Sequence, residues 1–190
     1  DEVHHDLTMP GQIHTPMALI DGIEDRLVMA TSASKSFNMA GTENGNIIIP
    51  DDDLRATFAR RLAAISVAAN TFGPRMVTAA YSPQGAEWLD ALRVYLDGNR
   101  KVFDAGMNAL PGVRSIPLEA TYLAWIDFSA TGMSPKELID RVHDHARIAP
   151  SPGTAFGKGG ETFLRFNLAM PRKRITEAVS RLQAAFGDLQ

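Results

Sequence analysis

Lys35 stands among small residues, Ser32, Ala33, Ser34 and Ser36, directly after an apolar run. A lysine at a strand's end in a dry pocket can lose its proton and form a Schiff base with a carbonyl. The neighbouring hydroxyls can hydrogen-bond a phosphate. By spacing alone, the same pattern also suits a solvated loop lysine. Asp1 and His4 form a second pair. A buried carboxylate can hold a ring nitrogen protonated, because opposite charges at contact distance favour both ionised forms. His4 can donate to a phenolate-like oxygen. Read simply, the two are ordinary polar residues at a strand's end. Arg165 is the third candidate, in Phe163-Leu164-Arg165-Phe166. Alternation puts it on the strand face opposite Leu164 and Phe166. A guanidinium on a rigid strand suits bidentate capture of a carboxylate. A surface arginine on a solvated sheet face fits the same pattern.

Other candidates carry less. Gly157-Lys158-Gly159-Gly160 lacks the ending of a phosphate-binding P-loop. The histidines at 4, 5, 14, 143 and 145 match no standard zinc spacing, and no metal site is expected. Trp88 and Trp125 are expected in the core.

These residues need elements to hold them. Arg26 to Thr31 and Asn46 to Ile49 read as short buried strands, the second closed by Pro50. Asp51 caps a helix with Leu54, Phe58, Leu62 and Ile65 at helical spacing. Ser82-Pro83 starts a long helix that ends before Pro111-Gly112. Its stripe runs through Trp88, Leu92, Tyr95, Leu96, Phe103 and Met107. Tyr122 to Phe128 reads as a strand. Ser134-Pro135-Lys136-Glu137 reads as a capping box opening a helix to about Ala146. Thr162 to Ala169 alternates as a half-buried strand, and Pro171 opens a last helix with Ile175, Val179, Leu182 and Phe186 inside. Strand, helix, strand, helix makes this end an α+β lobe.

Composition narrows the classes. The chain has 190 residues, with 19 Lys plus Arg against 22 Asp plus Glu, a net charge of −3. That balance excludes a strongly basic nucleic-acid footprint, so no nucleic-acid partner is expected. With no cysteine there is no disulfide, no thiolate zinc site and no Cys nucleophile. This fits a reducing cytosol, and a cytoplasmic location is the expectation. No apolar stretch is long enough for a membrane span.

Taken together, the three sites resemble the aminotransferase class I/II family of pyridoxal-phosphate enzymes (fold type I). More narrowly they are similar to its cystathionine β-lyase, or C–S β-lyase, branch. Asp1-Glu2-Val3-His4-His5-Asp6-Leu7 resembles that branch's D-E-I-H-x-D-L. Ser34-Lys35-Ser36-Phe37-Asn38 with Ala40-Gly41 resembles its S-K-[ST]-F-N-x-A-G. Glu87-Trp88-Leu89, Tyr95-Leu96 and Asn99 are similar to its linking helix. The stretch from Leu118 to Asp127 is similar to its small-domain strand. Gly153, Phe156-Gly157 and Arg165-Phe166-Asn167 complete the likeness.

The resemblance implies an α/β fold: part of a three-layer αβα large domain over 1–82, a linking helix over 83–110, and a small α+β domain over 111–190. It implies pyridoxal 5'-phosphate as cofactor. Lys35 would be the Schiff-base lysine and general base, and Asp1 the partner of the pyridinium nitrogen. His4 would lie near the phenolic oxygen, with Ser32 and Ser34 on the phosphate. Arg165 would hold the substrate's α-carboxylate. The implied reaction is β-elimination from cystathionine or another cysteine conjugate, giving thiol, pyruvate and ammonia. An aminotransferase uses the same Lys, Asp and Arg and is the alternative. A lobe without catalysis is the third reading. One departure stands out: many relatives carry Arg or Lys eight residues after the Schiff-base lysine, where this chain has Glu43. The likeness covers only about the C-terminal half of such an enzyme. The expectation is therefore that the chain is a piece of something longer, inactive alone, completed by an N-terminal half and working as a homodimer.

Overall fold

The computed structural model describes residues 1–189. The chain divides into two compact units, Asp1–Arg93 and the remainder from Val94.

The first unit opens with tight turns whose backbone is tied to a strand: the Glu2 N–H donates to the Ala30 carbonyl at 2.7 Å. Strand β1 (Met29–Thr31) pairs antiparallel with β2 (Asn46–Ile48), Met29 opposite Ile48 and Thr31 opposite Asn46. Between them lies α1 (Ala33–Ser36), a single helical turn. Helix α2 (Asp52–Ala64) follows its acidic cap, with the Leu54 N–H bonded to the Asp51 carboxylate at 2.7 Å. Helix α3 (Phe72–Ala80) has no counterpart among the sequence expectations. Gly73 and Pro74 are residue types that disfavour a helix interior. Within the first turn, however, proline gives up only an N–H that has no helical partner. The Asn70 side chain accepts from the N–H groups of Phe72 and Gly73 at 3.0 and 2.8 Å and starts the helix.

Two strand expectations for this unit are corrected. Strand β2 is not buried: Ile47 and Ile48 are 44% and 42% exposed, because the described residues pair it only with β1. The first strand is also shorter than the run Arg26 to Thr31, since Arg26 closes a 3-10 turn.

Helix α4 (Pro83–Asn108) runs across the boundary between the units. Ser82 caps it, accepting from the Gly85 N–H at 3.1 Å. Its stripe is uneven. Leu96, Phe103 and Met107 are buried, but Trp88 and Tyr95 are nearly half exposed. Trp88 is thus not a core residue; its ring stacks on Phe37 at 5.7 Å.

The second unit is a four-stranded antiparallel sheet in the order β3-β4-β6-β5, with helices on one face. The strands are β3 (Arg114–Ser115), β4 (Leu123–Asp127), β5 (Ser151–Pro152) and β6 (Phe163–Asn167). Alternation along β4 and β6 sends Ala124, Ile126, Leu164 and Phe166 inward. They meet Phe103 and Met107 of α4, Leu138 of α5 (Pro135–Asp140) and Ile175, Val179 and Leu182 of α6 (Arg172–Ala185). Gly106 lets α4 and α6 close up, since a Cβ there would lie 2.3 Å from a Val179 methyl. Ser134 caps α5, accepting from the Glu137 N–H at 3.2 Å. After Asp140 the helix widens into one π turn, Arg141–His145. Trp125 is the second correction to the expected core. It lies on the outward sheet face, stacked on Phe163 at 5.3 Å and edge-on to Phe156 at 5.4 Å.

Candidate active site

Lys35 projects, half-buried, from the single turn α1 immediately after β1. An isolated turn is not self-sustaining, because helix nucleation fixes several residues for one hydrogen bond. Side chains must hold it. At its start the Ser32 hydroxyl, 4% exposed, accepts from the Ser34 N–H at 3.0 Å. The same hydroxyl lies 2.6 Å from the Asn44 carbonyl and 2.9 Å from the Ser34 hydroxyl. Its one proton goes to a carbonyl that can only accept, so Ser32 is committed to capping. Ser34 is the more open hydroxyl of the pair.

At the end of the turn, buried Ser36 donates to the Asp6 carboxylate at 2.8 Å. The Tyr81 hydroxyl donates to the same Asp6 oxygen at 2.9 Å, and His5 meets the other at 3.0 Å. Burial, and then the facing Asp6 carboxylate, push the Tyr81 phenol well above its ordinary value. A cleft of about 370 Å³ opens beside this knot, lined by Asp6, Phe37, Tyr81 and Leu89.

Asp1 and His4 sit on the turns bonded to β1, so the segment that bears them shares a strand with the Lys35 turn. Asp1 is exposed, and its carboxylate accepts from the Val3 N–H at 3.1 Å. His4 is half-buried. Glu2 anchors the following loop, its carboxylate accepting from the Met17 N–H at 2.8 Å and meeting His14 at 2.9 Å. The Met17 bond first, then His14, hold the Glu2 carboxyl below its usual value. Glu43 is exposed at φ 47° and offers no cation for a phosphate.

In the second unit Arg165 stands on the outward face of β6, directly opposite Trp125 of β4. Its guanidinium lies 4.5 Å over the Phe156 ring, with Ser151 at 3.3 Å. The rest of its donor fork carries the geometry for a carboxylate. Among the described residues no cluster of three or more His, Asp or Glu could hold a metal, and no helix is long and apolar enough to cross a membrane.

The sequence singled out Lys35, Asp1, His4, Ser32, Ser34 and Arg165 but gave no role to Asp6, Ser36, Tyr81 or Phe156. Asp6 and Ser36 lie inside the two quoted motifs. Their link spans 30 residues, and nothing in either motif announces it.

The chain belongs to the aminotransferase class I and II family, whose sequence model matches residues 1–182. It is 38% identical over 188 residues to the cystathionine beta-lyase PatB of Bacillus subtilis, covering 97% of this chain and 48% of that protein. It is 31% identical to the protein MalY of Escherichia coli, covering 96% and 47%. Among solved structures it superposes on cystalysin of Treponema denticola, which contains pyridoxal 5'-phosphate. There the TM-score is 0.92 at 35% identity, covering 100% of this chain and 49% of cystalysin. The fold is that of the fold type I enzymes of this family. The chain spans about half the length of the curated relatives it matches.

Proposed function

We propose that this chain serves a pyridoxal-phosphate-dependent C–S β-lyase. The whole protein would cleave cystathionine or another cysteine conjugate, with water, to a thiol, pyruvate and ammonia. The observation that carries the reading is Lys35 on a pinned turn after β1, with the segment bearing Asp1 and His4 bonded to that same strand.

The donor set fits the cofactor. An amine suits its aldehyde, a carboxylate its pyridinium nitrogen, an imidazole its phenolic oxygen, and hydroxyls at a helix start its phosphate. When bound, pyridoxal phosphate supplies an electron sink for negative charge at the substrate's Cα. The Asp1 carboxylate keeps a proton on the ring nitrogen. His4 donates to the phenolic oxygen. Ser34 donates to the phosphate, oriented by the Ser32 cap, and the absent cation at Glu43 leaves more of that work to hydroxyls and backbone N–H groups. The Lys35 amine takes the proton from Cα and can return one to the leaving sulfur. Arg165 holds the α-carboxylate through two parallel N–H donors.

A cytoplasmic homodimer is the assembly we favour. Ile13 at 90% exposure and Leu19 at 71% form an apolar segment suited to burial against a partner chain. The segment that completes the relatives' length would be needed for activity.

The test is product analysis on the whole protein with cystathionine. Pyruvate released without any 2-oxo-acid acceptor is the expected result. Amino-group transfer that requires an acceptor would place the protein with the aminotransferases instead. No turnover and no cofactor binding would leave a lobe without catalysis.

A further inference from the structure

We propose that Asp6 is a positioning residue for Lys35, an inference that rests on the pyridoxal-phosphate reading above. Lys35 sits on one helical turn with a hydroxyl anchor at each end. Ser32 fixes the start through the Ser34 N–H and the Asn44 carbonyl. Ser36, fully buried, fixes the end through its bond to Asp6. Asp6 lies two residues beyond His4 and five beyond Asp1. One carboxylate therefore ties the turn carrying the amine to the segment carrying the other two cofactor-facing groups. The tie is a charge-assisted hydrogen bond, stronger than a neutral one and more directional. Tyr81 at 2.9 Å and His5 at 3.0 Å hold the same carboxylate, so it cannot swing away from Ser36 without losing them. Loss of Asp6 leaves Ser36 buried with no acceptor, a state that favours unwinding of the turn.

Two measurements on the whole protein test this, for Asp6→Ala, Asp6→Asn, Ser36→Ala and the Asp6→Ala/Ser36→Ala pair. Without cofactor, hydrogen exchange at the Phe37 and Met39 amides, which close the turn on Ala33 and Ser34, should speed up about tenfold in Asp6→Ala and Ser36→Ala. With cofactor, the dissociation constant for pyridoxal phosphate should rise about tenfold in each. The double variant should be no worse than Asp6→Ala alone, because Ser36→Ala then removes a bond already cut. Asp6→Asn keeps an acceptor for Ser36 and should restore most of both readouts. Unchanged exchange in Asp6→Ala overturns the proposal. So does a lowered Tm with unchanged cofactor affinity and pH midpoint of its visible absorbance, which marks a merely structural role. If the unaltered protein binds no pyridoxal phosphate, the functional reading fails and the exchange experiment still decides whether Asp6 pins the turn.

Discussion

Arg165 of β6 and Trp125 of β4 are direct partners across the antiparallel ladder, side by side on the outward face of the sheet. Phe156 covers the guanidinium from above at 4.5 Å, and Phe163 extends the aromatic floor. On the proposed function, the arginine is thereby oriented before the substrate's carboxylate arrives. Preorganisation of this kind lowers the ordering cost of binding.

Arg165→Lys keeps the charge and loses the planar fork. On the proposed function, kcat/KM for an amino-acid substrate should fall about 10-fold to 100-fold, the worth of a charge-assisted bidentate contact. Steady-state kinetics checks it. An equal fall for a substrate amidated at its carboxylate would separate Arg165 from carboxylate recognition.

Phe156→Leu keeps the bulk and removes the ring face. Cation–π contacts at exposed sites are modest, so KM should rise about twofold to fivefold with kcat nearly unchanged. A drop in kcat alone would argue against a role in holding the arginine.

Gly153 and Gly160 cross at backbone contact. A Cβ on Gly153 would lie 2.1 Å from the Gly160 carbonyl, and one on Gly160 would lie 2.2 Å from that of Gly153. Neither neighbour is a flexible side chain. Gly160→Ala should destabilise the protein by about 1–3 kcal/mol, as overpacking does, and displace the turn that bears Phe156. Denaturant unfolding measures the first effect and KM the second.

Asp97 makes stability depend on pH. Its carboxylate bonds Lys101 at 2.6 Å and Arg100 at 2.7 Å. Lys101 first, and then Arg100, hold it below its ordinary value of 3.8 against the opposing effect of burial. A depressed native value means that its contribution to stability is complete above the unfolded value. The contribution is lost as pH falls through the native one. Asp97→Asn should therefore cost about 1–2 kcal/mol at neutral pH, with the gap to the unaltered protein closing as pH falls below the ordinary carboxylate range. A thermal melt series across that range checks it.

Much of this was legible in the sequence because local rules dominate where they were applied. Ser82, Asp51 and Ser134 cap the helices they were expected to cap. The period-two pattern of Phe163 to Phe166 put Leu164 inside and Arg165 outside. What failed depends on neighbours distant in sequence. Ile47 and Ile48 look like core residues, yet their exposure is set by how many strands flank β2. Trp88 and Trp125 pack on other aromatics at a surface, a choice that hydrophobicity cannot report. Helix α3 was hidden by Gly73-Pro74, whose breaking effect vanishes in a first turn. At the site, Lys35 lies on the turn after β1 and Arg165 on the outward face of β6, placements that the apolar run and the alternation could report. The Asp6–Ser36 tie did not show, because a hydrogen bond across 30 residues leaves no periodic trace.

On the proposed function, Lys35 carries the cofactor. The direct measurement is borohydride reduction of the whole protein with pyridoxal phosphate, followed by digestion and mass mapping. A reduced phosphopyridoxyl adduct on Lys35, abolished in Lys35→Arg, is the expected result. An adduct on another lysine, or none at saturating cofactor, would contradict it.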